Sequence, residues 1–550
     1  TTIAAGRATA VVVATGDDTV MRRGTLVTPD EARGGVEARL RALMRLTGPV
    51  AMTAGAALVG TGLLRGRRVD DLVSTGVGLA VAAVPEGLPV LATVSQLAAA
   101  ERLSRRGALV KNPRAIEALG RVDVLCLDKT GTLTEGRIEL SNVHDGERME
   151  SVGELSGQRL EVLRIAALAV ADQRGQSSDP MDTEIVRVAR GVGEPASDFV
   201  RLAEHAFESG RGYEAVLARS EQGARIFVKG APEQLLSRAS ALYLAGELVP
   251  VSRGRTAFQQ QLERITADGL RVVAVAERIV ADAELEQSSA RSLIEDPREL
   301  VVRGLLAFRD PVRPSAHGAV AGLARAGVRV VMVTGDHPNT AQNIGREVGL
   351  TGQFGMLHGA QIAHMTEAQL ERAVKRTAIF ARVTPAQKVR IVRALQRSGH
   401  VVGMVGDGAN DAPAMRVADA GIAVGAASTE AARAAADVVL ADARIDALVD
   451  TVVEGRAMWN SVRDAVSILV GGNLGEIAFT VSIGALLGKA PLNPRQLLLV
   501  NFLTDIAPSM AIALRPPSVK DLATLRDAGP DASLGAPLDR EIIARAITTS

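Results

Sequence analysis

The sequence predicts a multi-domain α/β protein with membrane helices: a doubly wound parallel sheet, an inserted α+β domain and four transmembrane helices. Three observations carry this expectation. Short Val-rich runs end at polar residues and alternate with amphipathic stretches, as buried parallel strands linked by helices do. A block of different pattern, Glu139 to Arg303, interrupts that alternation. Four stretches are apolar enough to cross a bilayer, which takes roughly 20 residues per helix.

The membrane elements come first and last. Gly48 to Leu64 carries no charge, and Leu72 to Ala100 has Glu86 as its only charge. Far downstream, Ala465 to Gly488 contains only Glu476, and Gln496 to Leu514 only Asp505. Tight, polar loops join each pair, so they read as two helical hairpins around the soluble stretch Glu101 to Asp464. Within that stretch the strand runs are Val122 to Leu127, Val328 to Val333, Val401 to Val405, Gly421 to Val424 and Asp437 to Leu440. Pro385 to Arg397 is a typical amphipathic linker, and Ile226 to Lys229 and Val272 to Ala276 are strand runs of the insertion.

Composition narrows the functions. A chain of 550 residues is too long for one core. Its 63 basic and 62 acidic residues give a net charge of +1, without the basic footprint of a nucleic-acid binder. Cys126 is the only cysteine, which excludes a disulfide framework or a CxxC metal centre. Only seven of the 63 basic residues are lysines. In so Arg-biased a chain, a lysine marks a position that wants a compact point charge. Three of them, Lys129, Lys229 and Lys388, fall in the motifs below. The chain starts Thr1-Thr2-Ile3 without a signal-peptide pattern and reads as part of something longer.

The sharpest motif is Asp128-Lys129-Thr130-Gly131-Thr132-Leu133-Thr134, directly after a strand run. Open α/β sheets bind ligands at the carboxyl ends of their strands. An aspartate there can attack phosphorus and form an acyl phosphate, splitting one hard transfer into two easier ones. Thr130 is expected to offer its backbone carbonyl to a metal ion and Thr132 to hold a phosphoryl oxygen. Thr334-Gly335-Asp336 and Gly406-Asp407-Gly408-Ala409-Asn410-Asp411 end two further strands. The first would cradle phosphoryl oxygens, while Asp128 and Asp407 make a hard oxygen site for magnesium. Lys388 would neutralise the developing charge. Any one of these turns alone reads as a solvated surface feature; three at strand ends read as one site.

In identity and order these motifs resemble the P-type ATPases, within the wider haloacid-dehalogenase-like fold, and the likeness covers nearly the whole chain. The resemblance implies catalytic roles for Asp128, Lys129, Thr130, Thr132, Thr334, Gly335, Asp336, Lys388, Asn410 and Asp411. Lys229 and Gly230, in Lys229-Gly230-Ala231-Pro232-Glu233, resemble the family's ATP-side motif. Phe207 resembles its adenine-stacking aromatic, with Arg211 close behind, and Arg271 its phosphate-contacting arginine. Asp182 sits where the family often has a glutamate near the adenine, and Asp310 to Pro314 resembles the hinge back to the phosphorylation domain. No P-loop competes for the ATP, because Gly488-Lys489 is followed by Ala490.

The resemblance also sets the expected domains. Residues 1–30 look like the end of an actuator domain, 40–104 a membrane hairpin, and 105–138 with 304–456 the phosphorylation domain. Residues 139–303 form the nucleotide-binding domain, 457–515 the second hairpin and 516–550 a connection onward.

A carboxylate in a membrane helix is costly and reads as functional by default. Glu86 lies in Pro85-Glu86-Gly87-Leu88-Pro89, where two prolines and a glycine should unwind the helix and expose carbonyls. Asn473 and Glu476 share one helix face; Asn501, Thr504 and Asp505 share another. Carboxylate, amide and hydroxyl oxygens suit a hard cation. The set looks like the calcium-transporting branch of the family. The implied activity is ATP-driven export of calcium through an aspartyl phosphate, with ATP and magnesium as cofactors and the bilayer and the cation as partners. Pumps for sodium, protons, magnesium or manganese are the alternatives, and a membrane-tethered phosphatase or phosphotransferase is the rival outside the class. The Arg- and Ala-rich composition points to a GC-rich bacterial genome, which would place a multi-pass pump of this kind in the plasma membrane.

Overall fold

The computed structural model describes residues 88–171, 179–193, 199–208, 211–244, 246–287, 289–350, 355–425, 428–441, 444–487, 492–516 and 536–549, with scattered residues between 11 and 77. Two compact units emerge.

The larger unit comprises residues 14–133, 314–335 and 348–550. Its sheet has eight strands, in spatial order Ala108–Val110, Val438–Leu440, Ala420–Val424, Val402–Gly406, Val124–Leu127, Arg329–Val333, Thr377–Ala381 and Gly355–His358. The first pairing is antiparallel and the others are parallel. All five strand runs expected from sequence are present. Thr377–Ala381, Gly355–His358 and Ala108–Val110 are additions whose mixed composition hid them. Val124, Cys126, Val331, Phe380 and Met404 form the buried centre together with Val389, Ile391 and Leu395 of the helix Pro385–Arg397. That helix starts where expected because Thr384 and Gln387 make a reciprocal capping box and Pro385 occupies the first turn.

The same unit contains the helix Asp446–Leu487, 42 residues without a break, about 63 Å at 1.5 Å per residue. Sequence reading placed its membrane part from Ala465, but the helix already begins 19 positions earlier as a buried stalk. The stalk is fixed to the helix Arg114–Arg121 by a glycine contact. A Cβ on Gly455 would lie 2.4 Å from the Gly120 nitrogen. Trp459 Nε1 donates to the Glu117 carbonyl at 3.1 Å, and Arg102 donates to the buried Glu454 at 3.0 Å. Asp446–Ile483 and Arg495–Leu514 are long and apolar enough to cross a membrane. Leu88–Arg105 is helical and takes in the end of the expected span Leu72 to Ala100, whereas most of residues 72–87, Glu86 included, lie outside the described residues.

The smaller unit comprises residues 1–13, 134–313 and 336–347. Its main sheet runs Met149–Ser151, Glu139–His144, Leu300–Arg309, Arg271–Val280, Gly223–Gly230, Tyr213–Ser220 and Val200–His205. Strand alternation splits its core in two. Val216, Phe227 and Val275 face the helices Gly157–Leu168 and Pro180–Gly191. Leu217, Ile226 and Ala274 face the opposite layer with Leu235 and Phe258. The strand Leu300–Arg309 runs past Arg303, so the sheet extends to the edge of the Asp310 to Pro314 motif. There Asp310 accepts from Thr134 Oγ1 at 2.6 Å and from the Gly136 amide at 2.9 Å.

Candidate functional site

In the larger unit, the chain leaves the central strand Val124–Leu127 at Asp128, whose amide donates to the Val405 carbonyl at 2.9 Å. That bond binds the nucleophile candidate to the neighbouring strand, which itself ends at Gly406 and Asp407. Lys388 reaches in from the helix Pro385–Arg397. Its ammonium donates to Asp128 Oδ1 at 3.0 Å and to Asp411 Oδ1 at 2.5 Å. All three side chains are buried. Asp411 also accepts from the Gly408 amide at 3.3 Å.

Two glycines make room for this convergence. Gly131 has φ +68°, and a Cβ there would lie 1.8 Å from Asp407 Oδ2. A Cβ on Gly406 would lie 2.6 Å from the Asp411 carboxylate. Carboxylate oxygens of Asp128, Asp407 and Asp411 all come within 4.8 Å of one another. That spacing and the hard oxygen chemistry fit a divalent cation such as magnesium.

The electrostatics follow from burial. Burial, reinforced by the like charge of Asp411, pushes the Asp128 carboxyl up to about 6, against the pull of Lys388. Burial likewise raises Asp411. Burial disfavours the Lys388 ammonium, but Asp128 and Asp411 more than offset that and raise it. Two acids share one base.

The remaining sequence candidates are distributed as follows. Lys129 and Thr132 are buried in the irregular turn Lys129–Leu133, and Thr130 is exposed there. Thr334 is buried beyond its strand, tied to the next one by its amide to Phe380 at 2.8 Å and its carbonyl to Val383 at 3.1 Å. Gly335 and Asn410 are exposed.

In the smaller unit Asp336 is half-buried, 3.8 Å from the Arg271 guanidinium. Phe207 is half-exposed and Arg211 approaches His205 Nε2 at 2.8 Å. Gly230 is buried, and a Cβ there would lie 2.5 Å from the Gly212 carbonyl. Lys229 is also buried and donates to both Asp182 and Glu214. Glu214 escaped the sequence reading. Its signal was a lone acid in the apolar strand Tyr213–Ser220, directly opposite Lys229 once the strands are paired.

Among the membrane residues, Asn473 is buried and Glu476 half-buried. The Asn501 amide, oriented with its nitrogen toward Glu476, donates to both carboxylate oxygens at 3.1 and 2.7 Å. Thr504 donates to the Val500 carbonyl at 2.8 Å. Thr504 and Asp505 lie in a π-helical segment, Phe502–Ile506, that widens the helix at the candidate cation residues.

Comparison with known proteins agrees with this geometry. Residues 122–419 match the family described as haloacid dehalogenase-like hydrolase, and the chain belongs to that class. It is 42% identical over 585 residues to the probable cation-transporting ATPase I of Mycobacterium tuberculosis, covering all of this chain and 35% of that protein. It is 31% identical to the calcium-transporting ATPase of Bacillus subtilis, covering 94% and 62%. With the cation-transporting ATPase pma1 of Synechocystis it shares 33% identity, covering 85% and 55%. Within its class the chain is therefore a member of the P-type ATPases. It spans only about a third of the length of the mycobacterial relative.

Proposed function

We propose that this chain carries the phosphorylation, nucleotide-binding and cation-binding parts of an ATP-driven cation pump that works through a phosphorylated Asp128. The observation that carries the reading is the buried Asp128–Lys388–Asp411 arrangement with Asp407 alongside. An Asp128 oxygen attacks the γ-phosphorus of ATP. The new carboxyl–phosphorus bond replaces the bond to the ADP oxygen, and ADP departs with that electron pair. Lys388 holds the attacking carboxylate in place and offsets negative charge as the phosphoryl group arrives. Asp128, Asp407 and the Thr130 carbonyl are the groups that would hold magnesium, which when bound supplies charge neutralisation to the phosphoryl oxygens. From their sequence motifs, Thr132, Thr334, Gly335 and Asp336 are assigned to the phosphoryl oxygens, and Lys129 and Asn410 to the two motif loops.

ATP is assigned to the smaller unit, with Phe207, Arg211, Asp182, Lys229, Gly230 and Arg271 as its contacts. Calcium is the proposed cargo. Support comes from the Glu476–Asn501 contact beside a π-helical turn and from relatives named as calcium-transporting ATPases. Glu86, Asn473, Thr504 and Asp505 complete the proposed ligand set, and the proposed location is a bacterial plasma membrane. Cation uptake into inverted vesicles holding the complete parent protein tests the cargo. Calcium uptake that needs ATP and is lost in Glu476→Gln supports it. ATP-driven uptake of sodium, manganese or magnesium but not calcium would overturn the cargo and leave the pump.

A further inference from the structure

Thr480 breaks a habit that other hydroxyl side chains of its helix keep. A helical Ser or Thr commonly donates its hydroxyl proton to a carbonyl about one turn back. On the helix Asp446–Leu487, Thr451 donates to the Leu448 carbonyl at 2.7 Å and Ser467 to the Asp464 carbonyl at 2.8 Å. Thr504, near the end of the following hairpin arm, does the same to Val500 at 2.8 Å. The Thr480 hydroxyl is buried, with the residue 2% exposed, and has no hydrogen-bond partner. Asn473, 4% exposed, is buried with neither its amide nitrogen nor its amide oxygen bonded. Both residues lie in the stretch Asp446–Ile483 that is apolar enough to cross a membrane.

Their spacing puts them together. Seven residues fall about 20° short of two helical turns, so Asn473 and Thr480 share one face, about 10 Å apart along the axis. Glu476 lies between them, one turn before Thr480, and its carboxylate accepts from Asn501. Side chains of a helix lean toward its N-terminus, which carries the Thr480 hydroxyl back over the turn that bears Glu476. An unpaired polar group costs free energy when buried, and lipid offers it no water. Amide oxygen, carboxylate and hydroxyl in sequence along one face have a single kind of partner that satisfies them all: a hard cation, which collects oxygen ligands.

We propose that the Thr480 hydroxyl oxygen is a cation ligand. With a Glu476 oxygen it makes a second coordinating position, one turn beyond the level of Asn473 and away from the stalk. The cation path along this helix thus runs further than the residues assigned to it above. The proposal rests on that assignment of the cation site.

Phosphorylation of the complete parent protein in membranes, titrated with calcium at fixed ATP and magnesium, tests it. Thr480→Val keeps the shape and removes the oxygen. It should raise the calcium concentration for half-maximal label about fivefold or more, and leave the ATP dependence at saturating calcium unchanged. Thr480→Ser restores the oxygen and should stay within about twofold of the wild type. Thr480→Ala should act as the valine variant does, which keeps the test open if that variant folds poorly. Exchanging an unpaired buried hydroxyl for a methyl group should not lower the melting temperature of the cation-free protein, so a loss of calcium affinity without a loss of heat stability separates a ligand from a packing group. Half-maximal calcium unchanged in the folded valine and alanine variants, or a shift that serine does not reverse, overturns the role of Thr480 and leaves the pump standing. If the wild type takes label at Asp128 with another cation instead, the same shift is expected in a titration with that cation, and its absence overturns the proposal. A folded wild type without label at Asp128 under any cation overturns the pump reading, and this inference with it.

Discussion

Replacing Lys388 by methionine keeps the length of the side chain and removes its charge. In the native structure Lys388 is 4% exposed and bonded to Asp128 and Asp411. Its loss leaves two buried carboxylates with oxygens within 4.8 Å of each other and without the ammonium that bridged them. Breaking a buried pair by removing one partner costs about 3–5 kcal/mol, mostly as the cost of the stranded charge. Part of that is relieved as one carboxyl takes up a proton, so the expected loss at neutral pH without metal is about 2–4 kcal/mol. Urea unfolding of the larger unit, followed by the fluorescence of Trp459, the chain's one tryptophan, measures it. Adding Asp411→Asn removes the second charge and should recover most of the loss. Phosphorylation should behave differently. Removing a preorganised charge from a transfer site costs roughly 10²–10³ in rate, and the double variant should not regain it. A Lys388→Met protein destabilised by under about 1 kcal/mol, or rescued in both stability and phosphorylation by Asp411→Asn, would refute the reasoning.

Other expectations follow from the same geometry. Gly131→Ala puts a methyl group 1.8 Å from Asp407 Oδ2 at φ +68°; it should cost about 2–4 kcal/mol and abolish phosphorylation, read by the same unfolding and by labelling with radioactive ATP. Asp128→Asn should stabilise the metal-free protein. The folded carboxyl sits at about 6 against an ordinary 3.8. Its ionised form is therefore disfavoured by folding, and the penalty grows as pH rises from 4 to 6 and is complete above it. Removing the charge should gain about 1–3 kcal/mol at pH 7.5 and nothing below pH 4. Urea midpoints at both pH values check the sign. Gly455→Val drives a branched side chain into the Gly120 backbone, 2.4 Å away at its Cβ; it should loosen the stalk by about 1–3 kcal/mol, seen as faster proteolysis within Asp446–Trp459.

Much of the candidate site was legible because its residues sit in short motifs at the ends of strongly apolar strands. Asp128 after Val122 to Leu127, and Asp407 after Val401 to Val405, needed only the rule that α/β sheets bind at strand ends. Lys388 was legible as one of seven lysines, inside a capped amphipathic helix. Glu214 was not, because its meaning depends on cross-strand register with Lys229, which local pattern does not encode. Thr377–Ala381 escaped for a related reason: five residues between two helices carry too little periodicity to separate strand from helix. The unbroken helix from Asp446 was hidden by its own chemistry. Its first half docks through Gly455, Arg456 and Trp459 on soluble elements, so it reads as polar and amphipathic before the apolar span begins. The π-helical turn at Thr504 and Asp505 leaves no composition signal.

The central claim is that Asp128 becomes phosphorylated by ATP. The direct measurement is acid-stable label from γ-labelled ATP on the complete parent protein in membranes, with magnesium present and calcium either added or chelated, followed by mapping of the labelled peptide. The account predicts a label on the peptide containing Asp128-Lys129-Thr130, absent in Asp128→Asn and dependent on calcium. Label on that peptide with a different cation would move the cargo and keep the mechanism; folded protein that takes no label at Asp128 under any cation would contradict the account at its root.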